Sequence, residues 1–466
     1  MNAKYILACG LLLMAGSKEV SAQANIQTLA PSPIWASEGS FLNPALLKNT
    51  SGFHLNVGPF MGLNLRVTNN FLAAGGVLDF ARDYDDDNIN FGPVRDMIDN
   101  LRDRNELSFH SDFTLFHANF GIGKPKNQFR MSLSVRQHAH ASVTVNDEFI
   151  NMLYKGNKQY AGQTVYFEPE VSTIAYTDFG VALSKTFTKG ALSITPAVRL
   201  RYLIGEFAAH SKSSRLGFYT AEDGSYISLS GKVEGDAGGV INFEKLIEGE
   251  ELDDMDYDNI SNALGRGFAL DLGATVTYKN ITLSIAAVDN GAIRFNKDAG
   301  WHFQSQNTHI NWEGYNFVAG PNGMEESSEW DPVEDLDIQT SNKEFRTRLG
   351  SKLTFNGNYG IKSRLDKRGH SYFKHNVGLS IVQGFSNRYN AASSPWTTLY
   401  YQYNWTNRVS AGVNVNQFRN IVDLGANVGF KLGVLQLGLG TNSLMGAINP
   451  YRSRQADFFF TLGFRF

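Results

Sequence analysis

From Gln455 to Phe466, the end of the chain, apolar side chains fall on every second position: Ala456, Phe458, Phe460, Leu462, Phe464 and Phe466 share one parity. Asp457, Thr461, Gly463 and Arg465 lie between them. A period of two predicts a strand with one apolar and one wet face, and about twelve residues suit a tilted crossing of a bilayer. The same rhythm is clearest from Phe129 to Val145. There Phe129, Met131, Leu133, Val135, Ala139, Ala141, Val143 and Val145 point one way, and Arg130, Ser132, Ser134, Arg136, His138, His140, Ser142 and Thr144 the other. Arg and His along one face, opposite aliphatic residues, suit a wet lumen against lipid.

Fourteen such segments are predicted. The others are His54–Thr68, Leu107–Gly121, Val171–Phe187, Leu192–Glu206, Phe268–Tyr278, Ile281–Phe295, Phe345–Phe355, Asn376–Phe385, Thr397–Asn404, Val409–Asn416, Val422–Leu432 and Val434–Gly440. Their connections alternate long and short, and an even count returns both chain ends to one side. The connection from Phe355 to Lys374 breaks the alternation mildly, and a hairpin around Glu222-Asp223-Gly224 could add two strands. The expected fold is all-β, a closed antiparallel transmembrane barrel with long external loops, because closure leaves no unpaired edge in lipid. No stretch reaches the ~18 apolar residues a membrane helix needs.

Ahead of the barrel, residues 53–466, two segments differ. Met1–Ala22 reads as an export leader: Lys4, an apolar run from Tyr5 to Ala15, and a small-residue cleavage site at Val20-Ser21-Ala22. Residues 23–52 are apolar but irregular, with Pro31, Pro33, Trp35, Phe41, Asn43 and Pro44. Proline prevents a regular element there, and disordered tails are poor in Trp, Phe and Leu. The segment is therefore expected to plug the lumen through Trp35, Phe41, Asn43 and Pro44.

Composition narrows the chemistry. The formal charge is −3; the leader takes away Lys4, Lys18 and Glu19, which leaves −4. No basic patch points to nucleic acid. The one cysteine, Cys9, lies in the leader, so the mature chain offers no disulfide or thiolate site. Gly-x-Ser-x-Gly is absent, and the glycines from Gly425 to Gly440 precede no phosphate-binding helix. Neither an enzyme activity nor a cofactor is expected. Arg130, Arg136, His138, His140, Arg199, Arg201, Arg346, Arg348 and Lys352 fall on expected lumen faces, with Asp178, Asp271 and Asp457 to offset them. Such a network either selects solutes or locks strands and plug together. His138 and His140 lack an identifiable third ligand, which favours the network over a metal. Asp83, Asp85 and Asp87 open like a calcium loop, but Asn88 and Val94 replace its glycine and closing glutamate. Trp301, Trp312, Tyr315 and Trp330 are loop aromatics that could meet a ligand, a partner or the lipid interface.

Several stretches resemble known families. The terminal strand ending on Phe466 resembles the signal by which outer-membrane barrels are recognised by the barrel-assembly machinery. Phe41-Leu42-Asn43-Pro44-Ala45 resembles the Asn-Pro-Ala element of FadL-type fatty-acid transporters, in which an N-terminal hatch plugs a fourteen-stranded barrel. Gly267 to Ala274, Val288 to Phe295, and Phe149-Ile150-Asn151-Met152-Leu153-Tyr154-Lys155-Gly156-Asn157 with Ala175-Tyr176 are similar to an uncharacterised Bacteroidota barrel family, related to the FadL-type and PorV-like barrels. The resemblance implies fold and outer-membrane location and carries no catalytic residues; the polar lumen face departs from the fatty-acid transporters. Two roles are expected to compete: passive passage of a small hydrophobic or amphipathic solute, or a scaffold that binds an envelope or secretion component through its external loops.

Overall fold

A computed structural model describes residues 38–47, 53–58, 62–70, 101–123, 129–240, 264–305, 309–313, 317–320, 323–326, 338–365, 371–385, 395–418, 421–449 and 453–466. The leader, Trp35, the acidic run at Asp83–Asp87, Tyr315 and Trp330 lie outside them.

Fourteen antiparallel strands close a barrel. They are β1 (His54–Val57 and Gly62–Asn69), β2 (Arg104–Ile122), β3 (Phe129–Asn146), β4 (Glu170–Lys185), β5 (Leu192–Thr220), β6 (Gly265–Tyr278) and β7 (Ile281–Phe295). They continue as β8 (Phe345–Arg348 and Lys352–Leu365), β9 (Ser371–Gly384), β10 (Trp396–Asn404), β11 (Val409–Phe418), β12 (Ile421–Leu432), β13 (Leu435–Thr441) and β14 (Gln455–Arg465). Each strand pairs with the next. The ring shuts where β14 pairs with β1, Phe460 opposite Leu63 and Phe464 opposite Leu55. The parity expected of the last strand holds: Phe458 and Phe466 are exposed outward, and Thr461 is buried inward.

The outer surface carries an apolar belt, with Leu200, Phe268, Leu283, Leu399, Val413 and Leu424 all strongly exposed. The inner surface is polar and buried: Asn64, Ser132, Thr354, Ser380, Thr398 and Asn414. This inversion of a soluble protein's pattern suits a solvent of hydrocarbon outside. Tyr278, Tyr359, Tyr401 and Trp405 are exposed toward the short-turn end, where amphipathic rings belong at a membrane interface. Among the described residues no helix is long and apolar enough to cross a membrane.

Three features depart from the simple pattern. First, β5 runs 29 residues, about three times a bilayer crossing. Its far half pairs with Tyr226–Gly239 around the turn at Asp223, and that strand pairs with Gly300–Ser305 and His309–Glu313. The expected hairpin therefore raises the wall and does not widen the ring. Second, β8 and β9 meet as a hairpin with Leu365 opposite Ser371, which restores the alternation of short and long connections. Third, the inward parity flips in β7 and β8 together. Ser284, Ala286 and Val288 are buried below the flip, and Ile293 and Phe295 above it. On β8, Phe345, Thr347 and Leu349 are buried above and Lys352 and Thr354 below. Asp289 sits at the flip with φ +60. Arg346 and Arg348 consequently point away from the lumen, correcting the expectation that they line it: a strict period of two through residues 349–351 put them on the wrong face.

Candidate functional site

Glu38–Phe41 and Pro44–Leu46 form two short 3-10 turns inside the barrel. Asn43 joins them. Its side-chain oxygen accepts from the Ala45 N–H at 2.9 Å, capping the second turn, and its amide donates to the Ile285 carbonyl of β7 at 3.2 Å. Pro44 follows at a position where its missing N–H costs nothing. Phe41, Leu42, Asn43, Ala45 and Leu47 are all nearly fully buried. The wall makes room with Gly273 of β6, where an added Cβ would lie 2.1 Å from the Asn43 oxygen.

Wall side chains hold this segment by its backbone. Arg199 of β5 donates to the Phe41 carbonyl at 2.7 Å and the Ser40 carbonyl at 3.4 Å, and Thr354 donates to the Leu42 carbonyl at 3.4 Å. The Phe41 ring lies 4.2 Å from the Arg136 guanidinium and 4.9 Å from His117.

A continuous charged belt lies behind the segment. Arg199 bonds Asp271 at 2.6 Å. Arg201 faces three carboxylates: Asp289 at 2.6 Å, Asp178 at 3.1 Å and Asp271 at 3.2 Å. Lys352 reaches Asp289 at 2.9 Å. His138 stands between Asp178, at 2.8 Å, and Asp112, which His110 meets at 2.8 Å and Arg136 at 3.8 Å. The belt thus runs from β2 to β8, half the circumference. Four carboxylates (Asp112, Asp178, Asp271, Asp289) face Arg136, Arg199, Arg201 and Lys352 in it, with His138 between two of them. Buried pairs of this kind repay their desolvation only when every member is bonded.

Directly above the belt the lumen side turns apolar. Tyr176, Leu203, Ala269, Ile293, Phe295 and Phe345 pack as one buried cluster. The two flips make this possible: the one at Asp289 turns Ile293 and Phe295 inward, and the one through residues 349–351 turns Phe345 and Leu349 inward.

Of the residues singled out from the sequence, Arg136, His138, Arg199, Arg201, Asp178 and Asp271 come together around Phe41, Asn43 and Pro44. Arg130 is buried at the short-turn end, near Arg465. His140 sits one inward position beyond His138 with its ring 6.0 Å from His110. His138 spends both nitrogens on carboxylates, and among the described residues no group of His, Asp or Glu is arranged to hold a metal. Asp112, Asp289, Tyr176 and Arg66 also contribute, although they are not among the residues the sequence singles out. Asp112 shares its parity with Ser108 and His110 and was readable. Asp289 was not, because its orientation depends on a positive φ that parity cannot supply. Arg66 pairs with Asp457 at 3.5 Å and lies 4.2 Å from the Trp396 ring, across the lumen on β10.

A family model described as "Family of unknown function (DUF5723)" matches residues 44–442. Among solved structures, the Ralstonia pickettii toluene transporter TbuX is similar at 10% identity over 93% of this chain and 94% of that one, with a TM-score of 0.40. The P. putida toluene transporter TodX is similar at 9% identity over 93% and 94%, with a TM-score of 0.41. A Rhodopseudomonas blastica porin triple mutant follows at 10% identity over 65% of this chain and 99% of that one, with a TM-score of 0.21. No curated protein matches.

Proposed function

The chain belongs to the DUF5723 family, to which no function is attached, and from its own geometry we propose an outer-membrane barrel that binds or passes a small amphipathic or hydrophobic solute, with residues 38–47 as a gating plug. The apolar outer belt supports the membrane location, and the closing strand to Phe466 supports assembly by the barrel-assembly machinery. The observation that carries the gating role is the way the plug is held. Arg199, Thr354 and Asn43 tie it through a handful of hydrogen bonds, and no strand pairing joins it to the wall. A neutral bond of this kind is worth about 0.5–1.5 kcal/mol net and one donated by the Arg199 guanidinium about 1.5–3 kcal/mol, so a ligand that offers replacement partners can displace it. The apolar cluster and the charged belt are buried as the plug stands, and once it moves they would pair an apolar with a polar surface for an amphiphile.

Gly273→Ala tests the gate without touching a charge, since its methyl group collides with Asn43. In liposomes loaded with a fluorescent amphiphile, this variant and one lacking residues 38–47 leak several-fold faster than wild type. Equal rates in all three proteins sink the gating role.

The sheet raised on β5 favours a second reading, a scaffold that docks an envelope or secretion component on its external face. A partner that co-purifies with the full chain and is lost on removing residues 296–343 would decide for it.

A further inference from the structure

Strand β13 is the shortest full member of the ring, and its brevity leaves a defect in the wall. It ends at Thr441, so β12 before Ala426 and β14 before Phe459 have no strand between them. Unpaired backbone facing hydrocarbon costs several kcal/mol per group. The chain covers the defect with a short helix, α1 (Leu444–Ile448). On the lumen side two acids moor the connection: Asp457 accepts from the Asn442 N–H and side chain at 2.6 and 2.7 Å, and Asp423 accepts from Gln455 at 3.2 Å and from the Ser443 hydroxyl. Gly446 lets the helix lie flat on β14, since a Cβ there would sit 2.2 Å from the Gln455 carbonyl oxygen.

The helix has only five residues, and it shares no strand ladder with β12 or β14. Beside it a groove of about 540 Å³ remains on the outer surface, with Leu65, Val67, Val428, Leu439, Ala456 and Phe458 among its lining residues. These are outward positions of the belt, so the groove is continuous with the surface that meets lipid. Its base reaches Arg66 and Asp457, which places it one side chain from the lumen. Met445 and Ile448 stand exposed on the helix at its rim.

We propose that this groove is a lipid site: one acyl chain of a membrane phospholipid lies in it and completes the wall where β13 stops. Water has too few partners to fill an apolar groove, and an apolar cavity of about 150 Å³ already takes up benzene. The site depends on the barrel standing in a membrane and is independent of solute passage.

Native mass spectrometry of detergent-purified protein incubated with palmitoyl-oleoyl phosphatidylethanolamine tests it. Wild type retains one tightly held lipid. Ala456→Trp fills the groove, and Ala447→Phe does so from the helix surface, where folding is not at stake. Both hold that lipid several-fold less, whereas Ala274→Trp, on the belt at β6, matches wild type. Equal retention by all four proteins, or a wild type with no held lipid, overturns the site. Neither result touches the gating role, which the leak assay decides alone.

Discussion

Arg201 is the residue on which the charged belt turns. It meets Asp178, Asp271 and Asp289 while fully buried. Arg201→Met keeps the volume and leaves three carboxylates crowded without their shared cation. Breaking buried pairs from one side costs about 3–5 kcal/mol. The expected result is a lower midpoint in urea unfolding, followed by the loss of heat-modifiable gel migration, and a wild-type midpoint would show that the belt is not load-sharing. Asp289 offers a second test at the same scale. Its φ of +60 is tolerated by Asn far better than by Ala, and its carboxylate bonds Arg201 and Lys352. Asp289→Asn keeps the backbone and loses the charge; Asp289→Ala loses both and suffers a further ~1–2 kcal/mol from the left-handed backbone. The alanine variant is therefore the less stable in the same assay, and the reverse order would remove strain from the account of the flip.

At the scale of elements, period two carried the reading a long way and failed where it had to. All fourteen ring strands were legible, because each alternates between a hydrocarbon face and a buried polar face, and lipid enforces that alternation residue by residue. What parity cannot see is a bulge or a break in a strand, after which every later side chain changes face. Asp289 and residues 349–351 are such a place, and Arg346, Arg348, Ile293 and Phe295 were misplaced or overlooked because of it. The charged belt was half legible for the same reason: β3, β4, β5 and β6 keep their parity through it, and β7 does not. Strand length was also hidden. Beyond Glu206 the lumen and lipid contrast disappears, so Phe207–Thr220 lost its alternation while remaining strand. This upper half pairs mainly with the raised hairpin and with Thr164–Phe167. Replacing residues 214–231 with a short Gly-Ser turn should leave the ring intact, seen as unchanged heat-modifiable migration. Loss of folding would mean that the raised sheet helps nucleate the barrel.

For the whole molecule, the closed ring and the uniform belt make a symmetric demand that neither the lumen nor the loops share. Lipid surrounds the ring on every side, so an arginine placed on the belt costs about 2–4 kcal/mol near the bilayer midplane whichever strand carries it. Leu200, Leu283, Leu399 and Phe460 sample β5, β7, β10 and β14, which are spread around the ring. Changing each singly to Arg should lower the yield of folded protein in the membrane by similar amounts, whereas Thr398→Arg beside Leu399 tests inward crowding alone. A barrel that docks sideways on a partner would respond differently. The strands hidden in that interface would depart from the rest, and the departing sector would mark the contact. A flat response around all four positions means that the wall meets only lipid. Any scaffold role would then have to act through the raised sheet, and the acyl-chain groove between β12 and β14 would be the one place where the wall does more than face the membrane.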